Sequence, residues 1–497
     1  MKPEKLQDAI GLVGDDLIEE AEFHTQRKTK SKWWMALTAA CLTLAIIAAA
    51  IFLPEKNIVK LPNDGGSGNK NQTVQNPVNL SAYALNEAVY PQTVAYPEYE
   101  DFSDEGYNKF EKEEKEWRRS RNELNKGYSD TMNIDLFFKE TFKSFLSNSE
   151  GDNMIYSPLN IYFALGMLAE LTDGNSRKQI LDAVGTKSIE ALRNDANALW
   201  RANYYDDGRT TSILASSLWL NQGINFKENT LKRITDTYYS SSYRGEMGSE
   251  KFNGALRTWL NNQTKNLLSE QINTLEMTPE TVLALASTIY FKASWEEEFI
   301  EKFTKKDTFH SKNGDITCDF MVDNYSGNYF YGKNFKAVKR YLRGSGSMYF
   351  ILPDKGTDVD ELISGGEVTE FICTGDMWKN IDSALINFSV PKFDVSGQLN
   401  LSNLLPKIGI KDVFDPKVSD FSPMTEDVGE IFVSSATHGA RVLIDEKGCI
   451  GAAYTAIMTD GTSMPSERLE FTLDRPFIFA VTSTTGDPLF AGVVNRP

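Results

Sequence analysis

The sequence predicts an α+β fold with large mixed or antiparallel sheets. Two observations carry that prediction. After about Ser129 the chain alternates helical and strand patterns, with helices concentrated early and strands late. The chain is also 497 residues long and 41% hydrophobic, which is ample for a large core. Average domain sizes alone would give roughly two to four domains.

The elements follow in order. Met132–Phe145 has apolar residues at helical spacing. Asn160–Glu170 follows Ser157-Pro158 as a second, mostly buried helix, and Asn253–Leu268 is an amphipathic helix. Val282–Lys292 reads V-L-A-L-A-S-T-I-Y-F-K, a β-branched and apolar run expected as a buried strand. Met348–Leu352 and Ala384–Pro391 are further strands, and Ile431–Ile444 and Phe471–Val494 add several more.

The N-terminal part divides into three segments. Trp33–Leu53 is apolar and uncharged; at ~1.5 Å per residue it covers roughly 30 Å, enough to cross a bilayer core. Arg27, Lys28, Lys30 and Lys32 crowd its N-terminal edge, which by the positive-inside bias puts residues 1–32 in the cytoplasm and the rest outside. The segment is long for the apolar region of a cleaved signal peptide, so an uncleaved single-pass signal-anchor at 33–53 is the expectation. Residues 54–128 read as an extracytoplasmic linker. Pro54–Leu80 is rich in Asn, Gly, Pro and Gln, and Ser81–Tyr99 shows no clear element. Gly106–Asn125 is a dense charged run expected as an exposed helix, with Trp117 as the residue that would dock it. Residues 129–497 form the main domain.

Composition excludes several function classes. The formal charge is −17 and the C-terminal bulk has no Lys/Arg-rich run, so nucleic acid is not an expected partner. Three histidines and four unpaired-looking cysteines, Cys41, Cys318, Cys373 and Cys449, support neither a metal site nor a redox motif, and no cofactor is expected. Neither His310 nor His438 lies in a nucleophile-elbow context, so a catalytic triad is not supported.

One stretch stands apart. Glu446–Thr459 reads E-K-G-C-I-G-A-A-Y-T-A-I-M-T, with no charge and no proline from Gly448 onward. Asp460-Gly461-Thr462-Ser463-Met464-Pro465 follows as an exposed turn or loop. An apolar, proline-free run can add as a strand to a sheet. A segment displayed in a loop yet composed like a buried strand implies two states.

From about Thr131 to Pro497 the chain resembles the serpin family along nearly its whole length. The matching blocks are N-M-I-Y-S-P-L-N-I at 153–161, T-D-G-N-S-R-K-Q-I at 172–180 and T-V-L-A-L-A-S-T-I-Y-F-K-A-S-W at 281–295. V-P-K-F at 390–393, L-P-K-I-G-I-K-D-V-F at 405–414, F-V-S-S-A-T-H-G-A at 432–440 and F-T-L-D-R-P-F-I-F-A-V at 471–481 complete them. The resemblance implies a serpin fold with an exposed reactive-centre loop. It also implies inhibition of serine proteases, with cysteine proteases as a further class, by a suicide-substrate mechanism. The protease cleaves the loop, is held as an acyl-enzyme, and the cut loop inserts into the large sheet.

The resemblance also assigns residues. The hinge is Glu446, Gly448, Cys449, Gly451, Ala452, Ala453 and Thr455. By the family's register Cys449, Gly451, Ala453, Thr455, Ile457 and Thr459 would face the core, all uncharged and mostly small. Counting forward from Glu446 puts the reactive bond at Thr462–Ser463, whereas counting back from Pro476 gives Pro465–Ser466, so the loop is longer than usual. Thr462–Ser463 is preferred because proline beside a bond hinders many proteases; Met464, Pro465 and Ser466 are the alternatives. No basic residue lies in Asp460–Pro465, which favours an elastase- or subtilisin-like target over a trypsin-like one. Ser157, Asn160, Ser287 and His438 fall where the sheet must part. The family usually has Ser where Asn160 stands and Asn where Ser287 stands, an exchange that suggests a compensating swap. Trp295, Lys392 and Glu446 fall where the loop enters the sheet, with a Lys392–Glu446 ion pair expected. A monomeric bacterial inhibitor on the outer face of the cell membrane is the leading reading. A non-inhibitory serpin acting as a surface binding or adhesion protein is the alternative.

Overall fold

The computed structural model describes residues 79–98, 103–129, 134–147, 149–427, 430–449 and 467–497, all within one unit, Gln75–Pro497. Its elements run β1 (Ala84–Asn86), α1 (Asp104–Leu124), α2 (Ile134–Leu146), β2 (Met154–Tyr156), α3 (Pro158–Leu171), α4 (Gly174–Ala183), α5 (Ile189–Asn203), β3 (Tyr205–Asp206) and β4 (Thr210–Asn221). Then come α6 (Glu228–Tyr238), β5 (Ser240–Gly245), α7 (Glu250–Gln263), α8 (Ser269–Ile272), β6 (Leu283–Ser294), β7 (Lys305–Ser311), β8 (Gly314–Gly332), β9 (Phe335–Tyr341) and β10 (Ser347–Pro353). The remainder is α9 (Val359–Gly365), α10 (Glu367–Thr374), β11 (Ile381–Pro391), β12 (Phe393–Asn400), α11 (Leu401–Leu404), β13 (Thr437–Ile444), β14 (Gly448–Cys449), β15 (Arg468–Thr472), β16 (Phe477–Thr482) and β17 (Pro488–Val494).

Two sheets organise the domain. The first runs β1-β5-β4-β6-β14-β13-β12, with β3 on β4; the second runs β15-β11-β8-β9-β10-β16-β17-β2, with β7 on β8. The β4–β5 and β11–β15 pairs are parallel, and the rest are antiparallel. This is the expected α+β architecture with large mixed sheets.

α3 lies beneath the first sheet and positions its centre. Ser157 caps the helix by accepting the Asn160 N–H, and Pro158 occupies the first turn, where its missing N–H costs nothing. Buried residues surround the helix, as a core helix requires. Leu214, Leu218 and Leu220 of β4 join the core that includes α3, while Ala215 and Trp219 point to the opposite face and α7. There Trp219 stacks on Tyr243 at 4.6 Å and meets Phe252 edge-on at 5.3 Å.

The segment read as linker contributes structure. β1 pairs with β5, and the Ala88 N–H donates to Ser241 Oγ at 3.1 Å. Tyr90 stacks on Trp200 and Tyr204, at 5.7 and 5.6 Å. α1 is capped by Ser103 and laced by Glu111–Lys115 and Glu114–Arg118 pairs, both at 2.8 Å. Trp117 does dock it, donating its indole N–H to Asp207 at 3.0 Å. The described residues 79–98 and 103–128 therefore pack on the domain.

Other boundaries differ from the sequence reading. The helix expected at Asn253–Leu268 is Glu250–Gln263, begun by a Ser249 cap. Of Ile431–Ile444 only Thr437–Ile444 is strand; 431–436 is irregular. Among the described residues no helix is long and apolar enough to cross a membrane, and the predicted span Trp33–Leu53 lies outside them.

Candidate functional site at the mouth and centre of the first sheet

The hinge begins inside the sheet. β14 lies between β6 and β13, with Gly448 opposite Ser294 and Cys449 opposite Ala293 and Ile444. β6 and β13 pair with one another nowhere among the described residues. Gly448 meets β6 so closely that a Cβ would stand 2.3 Å from the Ala293 carbonyl oxygen and 2.7 Å from Ser294 Cα. Only glycine fits that approach.

A turn aims the hinge. The Asp445 carboxylate accepts the N–H groups of Lys447 and Gly448, at 2.9 and 3.1 Å. Trp295, fully buried, grips the same turn twice. Its backbone N–H donates to the Lys447 carbonyl at 3.0 Å and its indole N–H to the Asp445 carbonyl at 2.8 Å. Glu446 is 6% exposed and meets Lys392 Nζ at 2.6 Å and Thr304 Oγ1 at 2.7 Å. Burial pushes its carboxyl up, but the Lys392 and Thr304 hydrogen bonds outweigh burial and leave it below the ordinary glutamate value. The predicted trio Trp295, Lys392 and Glu446 thus meets around one turn. Thr304 and Asp445 were not foreseen; the Asx-type turn D-E-K-G at 445–448 is the signal that could have found Asp445.

The centre of the sheet holds the second cluster. Asn160 Nδ2 donates to the Ser287 carbonyl at 3.0 Å, and Ser287 Oγ donates to Asn160 Oδ1. Ser216 Oγ donates to Ser287 Oγ at 3.2 Å. The Ser157 N–H donates to His438 Nε2 at 2.9 Å, so the ring proton sits on Nδ1. Burial pulls the His438 imidazole down to about 4, which keeps it neutral. All four predicted residues lie together, and the exchanged pair Asn160–Ser287 bonds directly. Ser216 was missed; a serine among the leucines of β4 is its signal.

The cysteines stay apart. Cys318, Cys373 and Cys449 are free, and Cys449 is a buried thiol pushed up to about 12 by burial. Cys449 forms no disulfide with Cys318 or Cys373. His310 is exposed and bound to Asp315 at 2.8 Å. No cluster that could hold a metal ion occurs among the described residues. Gly451, Ala452, Ala453 and Thr455 of the hinge, and Thr462, Ser463, Met464, Pro465 and Ser466, lie outside the described residues.

Comparison with known proteins adds the context. A family profile described as Serpin (serine protease inhibitor) matches residues 133–497. Serpin-ZX of Arabidopsis thaliana is 27% identical over 369 residues, covering 70% of this chain and 93% of that protein. Alpha-1-antiproteinase 2 of Equus caballus is 26% identical over 376 residues, covering 73% and 86%. Among solved structures, the thermophilic serpin tengpin in its native state aligns with a TM-score of 0.65 at 25% identity, covering 74% of this chain and 94% of that one.

Proposed function

The chain belongs to the serpin family, and from that premise we propose that it inhibits serine proteases, with cysteine proteases as a further class, as a suicide substrate. One observation carries the proposal: Gly448 and Cys449 are already seated as a strand between β6 and β13. Continued residue by residue, the pairing of Cys449 with Ala293 brings Thr459 opposite Leu283, the first residue of β6. Ile450–Thr459 is therefore the length that fills the strand. It is uncharged throughout, and Asp460 falls one position beyond. Cys449 is buried in the main core, so Gly451, Ala453, Thr455, Ile457 and Thr459 would share its inward face.

The mechanism follows from competition between two rates. The protease nucleophile attacks the carbonyl carbon at the reactive bond, an acyl ester forms, and the amine on the C-terminal side leaves. Hydrolysis would then release the protease. Strand insertion carries the ester away from the mouth first. Roughly ten backbone hydrogen bonds at ~1 kcal/mol net each give a driving force of order 10 kcal/mol, comparable to the stability of a whole domain. Small inward residues allow that insertion, and the glycine at 448 permits its first step.

The reactive bond is Thr462–Ser463, and the target is elastase- or subtilisin-like. The chain acts as a monomer on a bacterial surface, held by Trp33–Leu53 with residues 1–32 inside the cell. Incubation with elastase- and subtilisin-type proteases tests the reading. A complex that survives denaturant, with a new N-terminus at Ser463, is expected. Cleavage with release of active protease would refute it. Carbonate extraction of membranes from the native cell tests the anchor; a protein recovered in the wash contradicts it.

A further inference from the structure

The polar cluster at the centre of the sheet does not end at Ser216. Ser287 of β6, Ser216 of β4 and Ser240 of β5 stand in register across three neighbouring strands. Ser216 shares its face with Leu214 and Leu218, which belong to the core over α3. Ser240 lies opposite Ser216 and Ser242 opposite Leu218, so both point the same way. A row of hydroxyls therefore runs under the sheet from Asn160 to β5.

The bonding stops halfway. Asn160, Ser287 and Ser216 are joined directly. The hydroxyls of Ser240 and Ser242 are buried and have no partner among the described residues, and neither have the phenols of Tyr162 and Tyr238. Tyr162 and Tyr238 are within electrostatic reach of one another, and the Tyr238 ring packs on Gly166 of α3. Tyr238 ends α6 two residues before Ser240. Two unpartnered hydroxyls on the inner face of one buried strand, with two unpartnered phenols on the helices below the sheet, are unusual, because buried polar groups are almost always hydrogen-bonded. A site with two to four polar partners per molecule suits water.

We propose that the layer beneath β4 and β5 binds a short file of ordered water molecules, continuous with the Asn160–Ser287–Ser216 network. A hydroxyl bonded to water exchanges partners without a fixed geometry. The seam therefore lets β4, β5 and β6 shift over α3 and α6 as a strand is admitted, in place of breaking fixed side-chain bonds. This last clause rests on the inhibitory reading; the hydration does not.

Ser240→Ala and Ser242→Ala in the full-length chain decide the sign. In a dry layer each change removes an orphaned hydroxyl and raises the melting temperature. In a hydrated layer each change strips a water of a partner, and the melting temperature falls by a few degrees. An unchanged or raised value overturns the proposal. A high-resolution crystal structure should place water on Ser240 and Ser242; a dry layer there overturns the proposal equally. With the protease complex as readout, the paired variant should insert its cut loop several-fold more slowly. Unaltered insertion would refute the mechanical role. Absence of any complex from the unmutated chain would instead sink the inhibitory reading and leave the hydration result standing.

Discussion

The mouth of the first sheet and its centre are held in opposite ways. At the mouth, contacts leave no slack: a Cβ on Gly448 would strike the Ala293 carbonyl, and Trp295 grips the Asp445–Gly448 turn from two nitrogens. At the centre, Asn160, Ser287 and Ser216 share side-chain hydrogen bonds that can change partners, and His438 accepts a single backbone N–H. The difference separates guidance from yielding. On the proposed mechanism a fixed mouth would start the strand in one register, and an exchangeable centre would let the sheet part without an unpaired charge, since His438 is neutral.

The largest expected effect tests the fixed mouth. Trp295→Ala removes a fully buried indole packed against Phe299 and Phe350. A loss of about 3–5 kcal/mol is expected for such a truncation. Urea unfolding measures it, and a loss under 1 kcal/mol would mean that the mouth has slack after all.

Next is the protonation of the centre. Burial holds the His438 imidazole at about 4, against about 6.5 when free. Between those values the unfolded chain binds more protons, so stability rises with pH. The contribution is complete above about pH 6.5 and is lost as the pH falls toward 4, by about 3 kcal/mol. His438→Gln should flatten that part of the pH profile. Parallel profiles for the two proteins would contradict the assignment.

Gly448→Ala comes third. Overpacking against a backbone costs about 1–3 kcal/mol, placed on the step that seats the strand. More inhibitor should be cut as simple substrate for each protease trapped, a ratio read from titration. An unchanged ratio would show that the seat tolerates a side chain.

The exchanged pair sharpens the contrast. Asn160→Ser and Ser287→Asn should each cost about 1–2 kcal/mol, with the double change recovering about 1 kcal/mol of their sum. Strict additivity in a double-mutant cycle would reject a compensating swap. The smallest effect belongs to Lys392→Met. Lys392 is 37% exposed, so solvent screening limits the pair and the loss should be about 1 kcal/mol. A larger loss would make Glu446 a second fixed point of the mouth.

Legibility in the sequence followed how local each signal was. α3 was readable because its apolar residues and Ser157-Pro158 act within one turn of the chain. β6 was readable from its β-branched, apolar composition. The mouth and centre residues were found through the family resemblance, and the Asn160–Ser287 exchange was visible as a departure from it. What stayed hidden depends on distant partners. β1 is three residues long and exists because β5 offers an edge, and Tyr90 is anchored by Trp200 of α5 and by Tyr204 just beyond that helix. α4, α5 and α6 were also passed over; their one-sided apolar periodicity is clearer than that of α3, but they are far more polar overall, whereas α3 is apolar nearly all round. Ser216 and Ser240 become neighbours only through strand register.

The central claim is that the cut loop becomes a strand between β6 and β13. Thermal unfolding of the intact protein and of protein nicked within Asp460–Ser466 tests it most directly. If Ile450–Thr459 inserts, the midpoint should rise by roughly 10–15 °C, as about 10 kcal/mol implies for a domain of this size. An unchanged or lowered midpoint after complete cleavage would contradict the account.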